Sequence, residues 1–274
     1  MTDETDSKMN TRTIDRRGFI AGTFAAALAA GCRTAATRPA LRVLTYNLHH
    51  SEGLDGKVDL VRIARIIRGS GADLVALQEL DRRARRTGSV DQPAEYIRLT
   101  GLHGEFGAAM DLQGGEYGQM LLSRWPLSVF ATHRLPNPSK REPRIAVSAM
   151  VRPPGMPAIR LVGAHLDATR DDGDRRLQSA ELHRLFTDAT TTILAGDLND
   201  LPGSPVVRGF SEGWSDTAAG DPQPTNPADA PKVRIDYVFA RPAARWRVVS
   251  VRVLDERVAS DHRPVLAELE WDAA

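Results

Sequence analysis

Cysteine occurs once among the 274 residues, at Cys32, so neither an intramolecular disulfide nor a cysteine-based metal site can form. Aromatic residues are 5%, a thin supply for a protein that stacks bases along a nucleic-acid strand. Neither charge dominates: 36 Lys and Arg face 35 Asp and Glu, a net of +1. The totals therefore lack the basic surplus of a dedicated duplex-DNA binder, although local clusters can still steer a phosphate. There is no His-Glu-x-x-His, no Gly-rich phosphate loop with Lys and no Gly-x-Ser-x-Gly elbow, which removes support for a zincin, a P-loop NTPase or an α/β-hydrolase. What is present is ordinary: 42% hydrophobic and 26% charged residues, the composition of a soluble globular protein of one or two domains.

The first residues read as an address. Arg16-Arg17-Gly18-Phe19 leads into an apolar run from Phe19 to Ala30 and a break at Gly31-Cys32. About a dozen apolar residues are too few to cross a hydrocarbon core of roughly 30 Å as a helix, but they suit a signal peptide. Asp15-Arg16-Arg17-Gly18-Phe19-Ile20 resembles a twin-arginine export signal, and Ala29-Ala30-Gly31-Cys32 resembles a bacterial lipobox whose Cys carries lipid. Residues 1–32 are thus expected to be a signal segment, 33–40 a tether and 41–272 a single domain. The expected location is the cell envelope or periplasm, with a membrane anchor through Cys32.

From Leu41 onward strands dominate. Leu41–Asn47, Ala72–Leu77, Gln119–Ser123, Ala146–Val151, Ile159–His165, Thr191–Ala195, Ile235–Ala240, Val248–Leu254 and Val265–Trp271 have strand character. Two helices are predicted. One spans Lys57 to Arg68, with Val58, Val61, Ala64 and Ile67 inward, and is stopped by Gly69-Ser70-Gly71. The other spans Asp174 to Ala189, with Leu177, Leu182 and Leu185 toward the core and Asp174 as its cap. So few helices do not suit a doubly wound sheet, in which each parallel strand needs its own crossover; two packed sheets with helices outside fit better.

Polar groups stand at or just beyond these apolar runs: Asn47, Glu79, His165, Asp197 with Asn199, and Asp261 with His262. Asp236 lies inside a run, between Ile235 and Tyr237, and a carboxylate there needs a cation or a histidine as partner. Carboxylate and amide oxygens are hard ligands suited to Mg²⁺, Mn²⁺ or Ca²⁺. A hard ion beside a His–Asp pair is the equipment for metal-assisted attack of water on phosphorus. The run Arg82-Arg83-Ala84-Arg85-Arg86 either lines a phosphate-rich groove or is a solvated loop.

The blocks Thr45-Tyr46-Asn47, Gln78-Glu79, Gly163-Ala164-His165, Gly196-Asp197-Leu198-Asn199, Ile235-Asp236-Tyr237 and Ser260-Asp261-His262 resemble the endonuclease/exonuclease/phosphatase family, in family order across nearly all of residues 41–270. The resemblance implies an α/β fold, a four-layer α-β-β-α sandwich of the DNase I-like type with the site at one mouth of two mixed sheets. It also implies roles. Glu79 is the principal Mg²⁺ ligand, with Mn²⁺ as substitute; Asn47 helps hold the metal or a phosphate oxygen, and Asp261 supports the metal or its water. Asp197 orients or deprotonates the attacking water, and Asn199 binds a non-bridging oxygen. His262, set by Asp236, stabilises the transition state or acts as acid/base, and His165 protonates the leaving oxygen. Arg144, after Glu142-Pro143, sits where the family places a phosphate-binding arginine, and Gln119 takes the place of the family's usual Asn in contact with substrate. Asp91-Gln92-Pro93 and Gly114-Gly115-Glu116-Tyr117-Gly118 resemble a bacterial subgroup of metal-dependent hydrolases.

The implied activity is a Mg²⁺-dependent phosphodiesterase or phosphatase acting on a small organic phosphoester, a phospholipid head group or a nucleic acid, with no protein partner implied. A nuclease proper and a catalytically silent envelope protein that binds a phosphorylated ligand are the alternatives.

Overall fold

The structure is a computed structural model and describes residues 38–273. The expected signal segment and most of the tether lie outside them. Thr37–Ala274 is one compact unit. Its first strand already includes Ala40, and the Pro39 carbonyl accepts from the Trp271 N–H at 2.9 Å, so the chain is tied down before residue 41.

Two six-stranded sheets form the centre. One runs β11 (Trp246–Val253), β12 (Val265–Trp271), β1 (Ala40–Asn47), β2 (Leu74–Arg82), β4 (Gly115–Ser123), β3 (His103–Leu112). The other runs β5 (Ser128–Arg134), β6 (Ile145–Val151), β7 (Ile159–His165), β8 (Thr192–Asp197), β10 (Asp236–Arg241), β9 (Ser215–Asp216). Each sheet holds one parallel pair, β1–β2 and β7–β8, and is otherwise antiparallel. Helices α1 (Leu60–Ser70) and α2 (Gln92–Thr100) pack on the outer face of the first sheet; α3 (Gly173–Phe186) and the short α4 (Pro205–Arg208) pack on the outer face of the second. Val43, Ala76, Leu121, Val147, Leu161, Val238 and Ala267 interleave between the sheets. This is the four-layer α-β-β-α sandwich expected above.

The helices depart from expectation in instructive ways. α1 begins at Leu60, capped by the Asp59 carboxylate on the Arg62 N–H, and its buried face is Ile63, Ala64 and Ile67. Val58 and Val61 are exposed. A period of three drifts around a helix that repeats every 3.6 residues, so Ile63 replaces Val61 on the inner face. In α3, Asp174 is not the cap; it is buried in the first turn and accepts from Ser139 Oγ at 2.8 Å, while Leu177 is exposed and Arg175 and Gln178 are buried in its stead. That helix packs against loops as well as against apolar surface, with Arg175 donating to the Asp167 and Thr169 carbonyls and Gln178 to that of Pro136, so its inner face mixes polar and apolar side chains. α2, β3 and β5 carry no clear periodic signal. α2 is short, capped by Asp91 and carries Pro93 in its first turn; β3 and β5 are sheet edges with exposed positions on both faces.

Candidate active site

The site lies where the two parallel pairs end. Strand alternation sends Tyr46, Ala164 and Leu194 outward to the helix layers and therefore Asn47, His165 and Asp197 inward, toward the space between the sheets. Asp236 opens β10 directly opposite Asp197, and His165 pairs in register with Asp197. A Cβ at Gly196 would run into the Ala164 carbonyl, so only glycine lets β8 approach β7 this closely just before Asp197. Glu79 arrives differently. Val75 and Leu77 face the outer layer, and strict alternation would send Glu79 there too. Instead the β2–β4 register shifts between Leu77 and Leu80, and Glu79 takes φ = 60°. This bulge reverses the alternation and turns the carboxylate into the mouth. Each of the four exits is then pinned by a buried leucine immediately after the site residue: Leu48, Leu80, Leu166 and Leu198.

The side chains converge. Asn47 Nδ2 donates to Glu79 Oε1 at 2.9 Å and to Asp197 Oδ2 at 3.1 Å. His165 Nε2 lies 3.7 Å from Asp197 Oδ2 and 3.9 Å from Glu79 Oε1. His262 Nε2 lies 3.7 Å from the same Asp197 oxygen, while its Nδ1 meets Asp236 Oδ2 at 2.9 Å. The histidine needed to neutralise Asp236 is thus His262. The Asn199 N–H donates to Asp197 Oδ1 at 2.8 Å, and Asn199 Nδ2 to the Leu166 carbonyl at 3.1 Å. Arg144 Nη1 is 2.9 Å from His165 Nδ1 and also pairs with Glu142 at 3.0 Å.

Charge follows burial. Burial lifts the Asp197 carboxyl to about 7, with the His262 charge pulling the other way. Burial alone would lower His262, but Asp236 and then Asp197 outweigh it and hold the imidazole protonated up to about 10. Burial also raises Glu79, and the nearby Asp261 carboxylate pushes it further. His165 is driven well below its ordinary value, first by burial and then by Arg144. Its neutral form is favoured, and the imidazolium of the site is His262.

Asn47 Oδ1 accepts from the His49 N–H at 3.1 Å, and its amide nitrogen donates between the two carboxylates. Gln119 is buried, its Nε2 on the Ile145 carbonyl at 2.6 Å and its Oε1 without a partner, and it lines a small cavity with Arg144 and His165. The arginine run resolves into ion pairs: Arg82 with Glu116, Arg83 with Asp91, and Arg86 with buried Asp81. Thr225, whose Oγ1 donates to Asp236 Oδ2 at 2.6 Å, carried no sequence signal. Ser260, on the Asn47 carbonyl at 2.7 Å, was visible only as the neighbour of Asp261-His262.

The donor set suits a hard divalent ion. Glu79, Asp197 and Asp261 bring three carboxylates to one mouth, and Asp236 Oδ1 is buried without a partner. Among the described residues, Asp197, Asp236 and His262 form a buried group whose ligand atoms lie within 4.8 Å of one another. Within this group Asp236 Oδ2 and His262 Nδ1 are bonded to each other, and Glu79 and Asp261 add two further carboxylates beside it.

Residues 44–262 match the model of the endonuclease/exonuclease/phosphatase family. A crystal structure titled endonuclease/exonuclease/phosphatase from Beutenbergia cavernae is 30% identical, with a TM-score of 0.73 over 87% of this chain and 73% of that one. The mannosyl-6-phosphatase Bt3783 of Bacteroides thetaiotaomicron shares the fold at 18% identity, with a TM-score of 0.68 over 84% of this chain and all (100%) of that one. The uncharacterized protein YbhP of Escherichia coli K12 is 23% identical over 242 residues, 83% of this chain and 95% of YbhP.

Proposed function

The chain belongs to the endonuclease/exonuclease/phosphatase family, whose members hydrolyse phosphate esters, and on that premise we propose that it is a Mg²⁺-dependent phosphodiesterase or phosphatase. The observation that carries this reading is Asp197: a buried carboxyl lifted to about 7 and set within 3.7 Å of His262 Nε2. A base titrating near neutrality is suited to take a proton from water. In this reading Asp197 accepts that proton, and Asn199 holds the carboxylate's other oxygen through its backbone N–H. His262, kept cationic and in one tautomer by Asp236, faces the charge that builds on the phosphoryl oxygens. Arg144 binds a non-bridging oxygen with its planar fork, and neutral His165 donates a hydrogen bond beside it. Glu79 and Asp261 would hold the divalent ion, which when bound supplies Lewis-acid polarisation of the phosphoryl group.

The test is hydrolysis of bis(p-nitrophenyl) phosphate and of p-nitrophenyl phosphate by the full chain with Mg²⁺ or Mn²⁺, beside an EDTA control and the Asp197→Asn variant. Metal-dependent turnover that the variant loses supports the reading, and the ratio of the two rates separates phosphodiesterase from phosphatase. Turnover that survives both EDTA and Asp197→Asn would sink it. Metal-dependent nicking of supercoiled plasmid, faster than cleavage of either nitrophenyl ester, would move the assignment to a nuclease.

We further propose export to the cell envelope with a lipid on Cys32, on the strength of Arg16-Arg17 and Ala29-Ala30-Gly31-Cys32 alone. Cys32→Ser should shift the protein from the membrane to the soluble fraction of the producing cells; an unchanged distribution would exclude the anchor.

A further inference from the structure

One layer behind the site, a single side chain joins the two backbone segments that carry Asn47 and Glu79. Gln92, the first residue of α2, is fully buried and uses both ends of its amide. Its Nε2 donates to the His50 carbonyl at 2.8 Å, and its Oε1 accepts from the Asp81 N–H at 3.0 Å. His50 follows Asn47 by three residues, and Asp81 follows Glu79 by two.

The segment after Asn47 needs such a restraint. His49, His50 and Ser51 have φ of 46°, 45° and 68°, three consecutive non-glycine residues in the left-handed region. Each is disfavoured by its own Cβ, so the turn persists only where its surroundings over-determine it. Besides hydrogen bonds within the turn and to Asp59, α2 supplies two contacts that do so: Gln92 on the His50 carbonyl, and Tyr96 OH on Ser51 Oγ at 2.6 Å. The turn in turn presents the His49 N–H to Asn47 Oδ1, which directs the opposite, donating end of that carboxamide toward Glu79 and Asp197.

The second sheet repeats the device. Gln178 of α3, also buried, accepts from the Asp167 N–H at 2.8 Å through Oε1 and donates to the Pro136 carbonyl at 3.1 Å through Nε2. Asp167 stands two residues beyond His165, as Asp81 stands beyond Glu79. Both aspartates are buried, and each accepts from a threonine and an arginine: Thr87 and Arg86 for Asp81, Thr169 and Arg141 for Asp167. A buried amide is favourable only when fully bonded, and these two glutamines are bonded to strand exits rather than to their own helices.

We propose that Gln92 is a positioning residue of the active site: through the left-handed turn at His49–Ser51 it sets the orientation of the Asn47 carboxamide and the spacing of the Asn47 and Glu79 exits. Only the kinetic part of its test rests on the phosphoester-hydrolase reading.

The full chain is compared with Gln92→Leu, Gln92→Glu and, as a stability control, Leu269→Ala. Leu269 is a core residue paired with Leu41, near the start of β1 and away from Asn47. Backbone amide exchange at His49 and Asp81 and the side-chain amide resonances of Asn47 are read by NMR, and kcat and KM with bis(p-nitrophenyl) phosphate and Mg²⁺. In Gln92→Leu, protection at both amides should fall about tenfold or more and the Asn47 resonances should move, because both partners of the amide are lost. In Gln92→Glu, Asp81 keeps its acceptor and its protection, while His49 loses protection, because a carboxylate cannot donate to the His50 carbonyl. Both variants should lose roughly 10–100-fold in kcat with KM nearly unchanged, the signature of misplacement rather than lost binding. Leu269→Ala should keep kcat and the Asn47 resonances. Unmoved Asn47 resonances in both Gln92 variants would overturn the proposal, as would kcat retained in them by an active enzyme. Should the wild type hydrolyse no phosphoester, the assignment of activity fails while the exchange and Asn47 spectra still decide the role of Gln92. Should Gln92→Leu not fold, the split between His49 and Asp81 in Gln92→Glu decides it.

Discussion

His262 Nδ1 and Asp236 Oδ2 lie 2.9 Å apart in a buried pocket, 26 residues apart in the chain, and the same Asp236 oxygen accepts from Thr225 Oγ1. The pair fixes which imidazole nitrogen faces Asp197 and keeps the ring cationic.

Asp236→Asn should therefore remove charge and tautomer control while preserving shape. The expected loss in kcat is roughly 10²–10³-fold, the usual worth of one preorganised group facing the charge that develops in the transition state. Steady-state kinetics beside a thermal melt check it; a full-rate variant would place His262 outside the chemistry.

Glu79 should report the metal without any substrate. A divalent ion that binds only the folded state stabilises it by ~2.7 kcal/mol at a hundredfold excess over Kd. Mn²⁺ should raise the urea midpoint of the wild type and leave that of Glu79→Gln nearly still. Equal shifts in both would move the ion away from Glu79.

Arg86 closes over the fully buried Asp81 with two hydrogen bonds, both 2.8 Å. Arg86→Met leaves that carboxylate uncompensated. The cost should be about 3 kcal/mol, the lower end for breaking a buried pair because the arginine is partly exposed. Urea unfolding measures it, and a loss below about 1 kcal/mol would assign the pair the small value of a surface bridge.

Stability should fall in mild acid, partly through His183. That imidazole packs on Phe210 with ring centroids 4.3 Å apart, its Nε2 is buried without a partner, and burial, then Arg241, lower its pKa. The unfolded chain therefore binds a proton more readily than the folded one. The stability this imidazole contributes is full above its unfolded value of about 6.5 and is lost as pH falls from there through the folded value. Urea midpoints at pH 7.5 and 5.5 should differ in the wild type, and the difference should shrink in His183→Leu.

Much of this architecture is legible along the chain. The apolar runs locate most strands because each buried strand is a local pattern, and the polar residue that ends each run marks where the sheets open. Asn47, His165 and Asp197 are such residues, and the lone carboxylate inside Ile235-Asp236-Tyr237 announces a buried partner. The edge strands β3 and β5 and the short helix α2 were not legible, because exposed edges and short helices bury too little to impose a period. Gln92 shows the consequence: the sequence marks it only as part of the block Asp91-Gln92-Pro93, and the atoms it holds belong to His50 and Asp81, which only folding brings to it.

By itself, then, the sequence determined two sheets with helices outside and a ring of hard, oxygen-rich groups with histidine at the strand ends, because alternation of apolar and polar side chains is set residue by residue. The tertiary structure decided which of those groups meet and how they point. Alternation assigns Glu79 to the wrong face of β2, and the register shift against β4 that reverses it arises only when those strands pair. Asn47 and Asp197 are 150 positions apart and touch because two separate parallel pairs pack face to face. Local patterning cannot encode a bulge or a contact between sheets; those follow from the packing of strands that the chain has first to bring together.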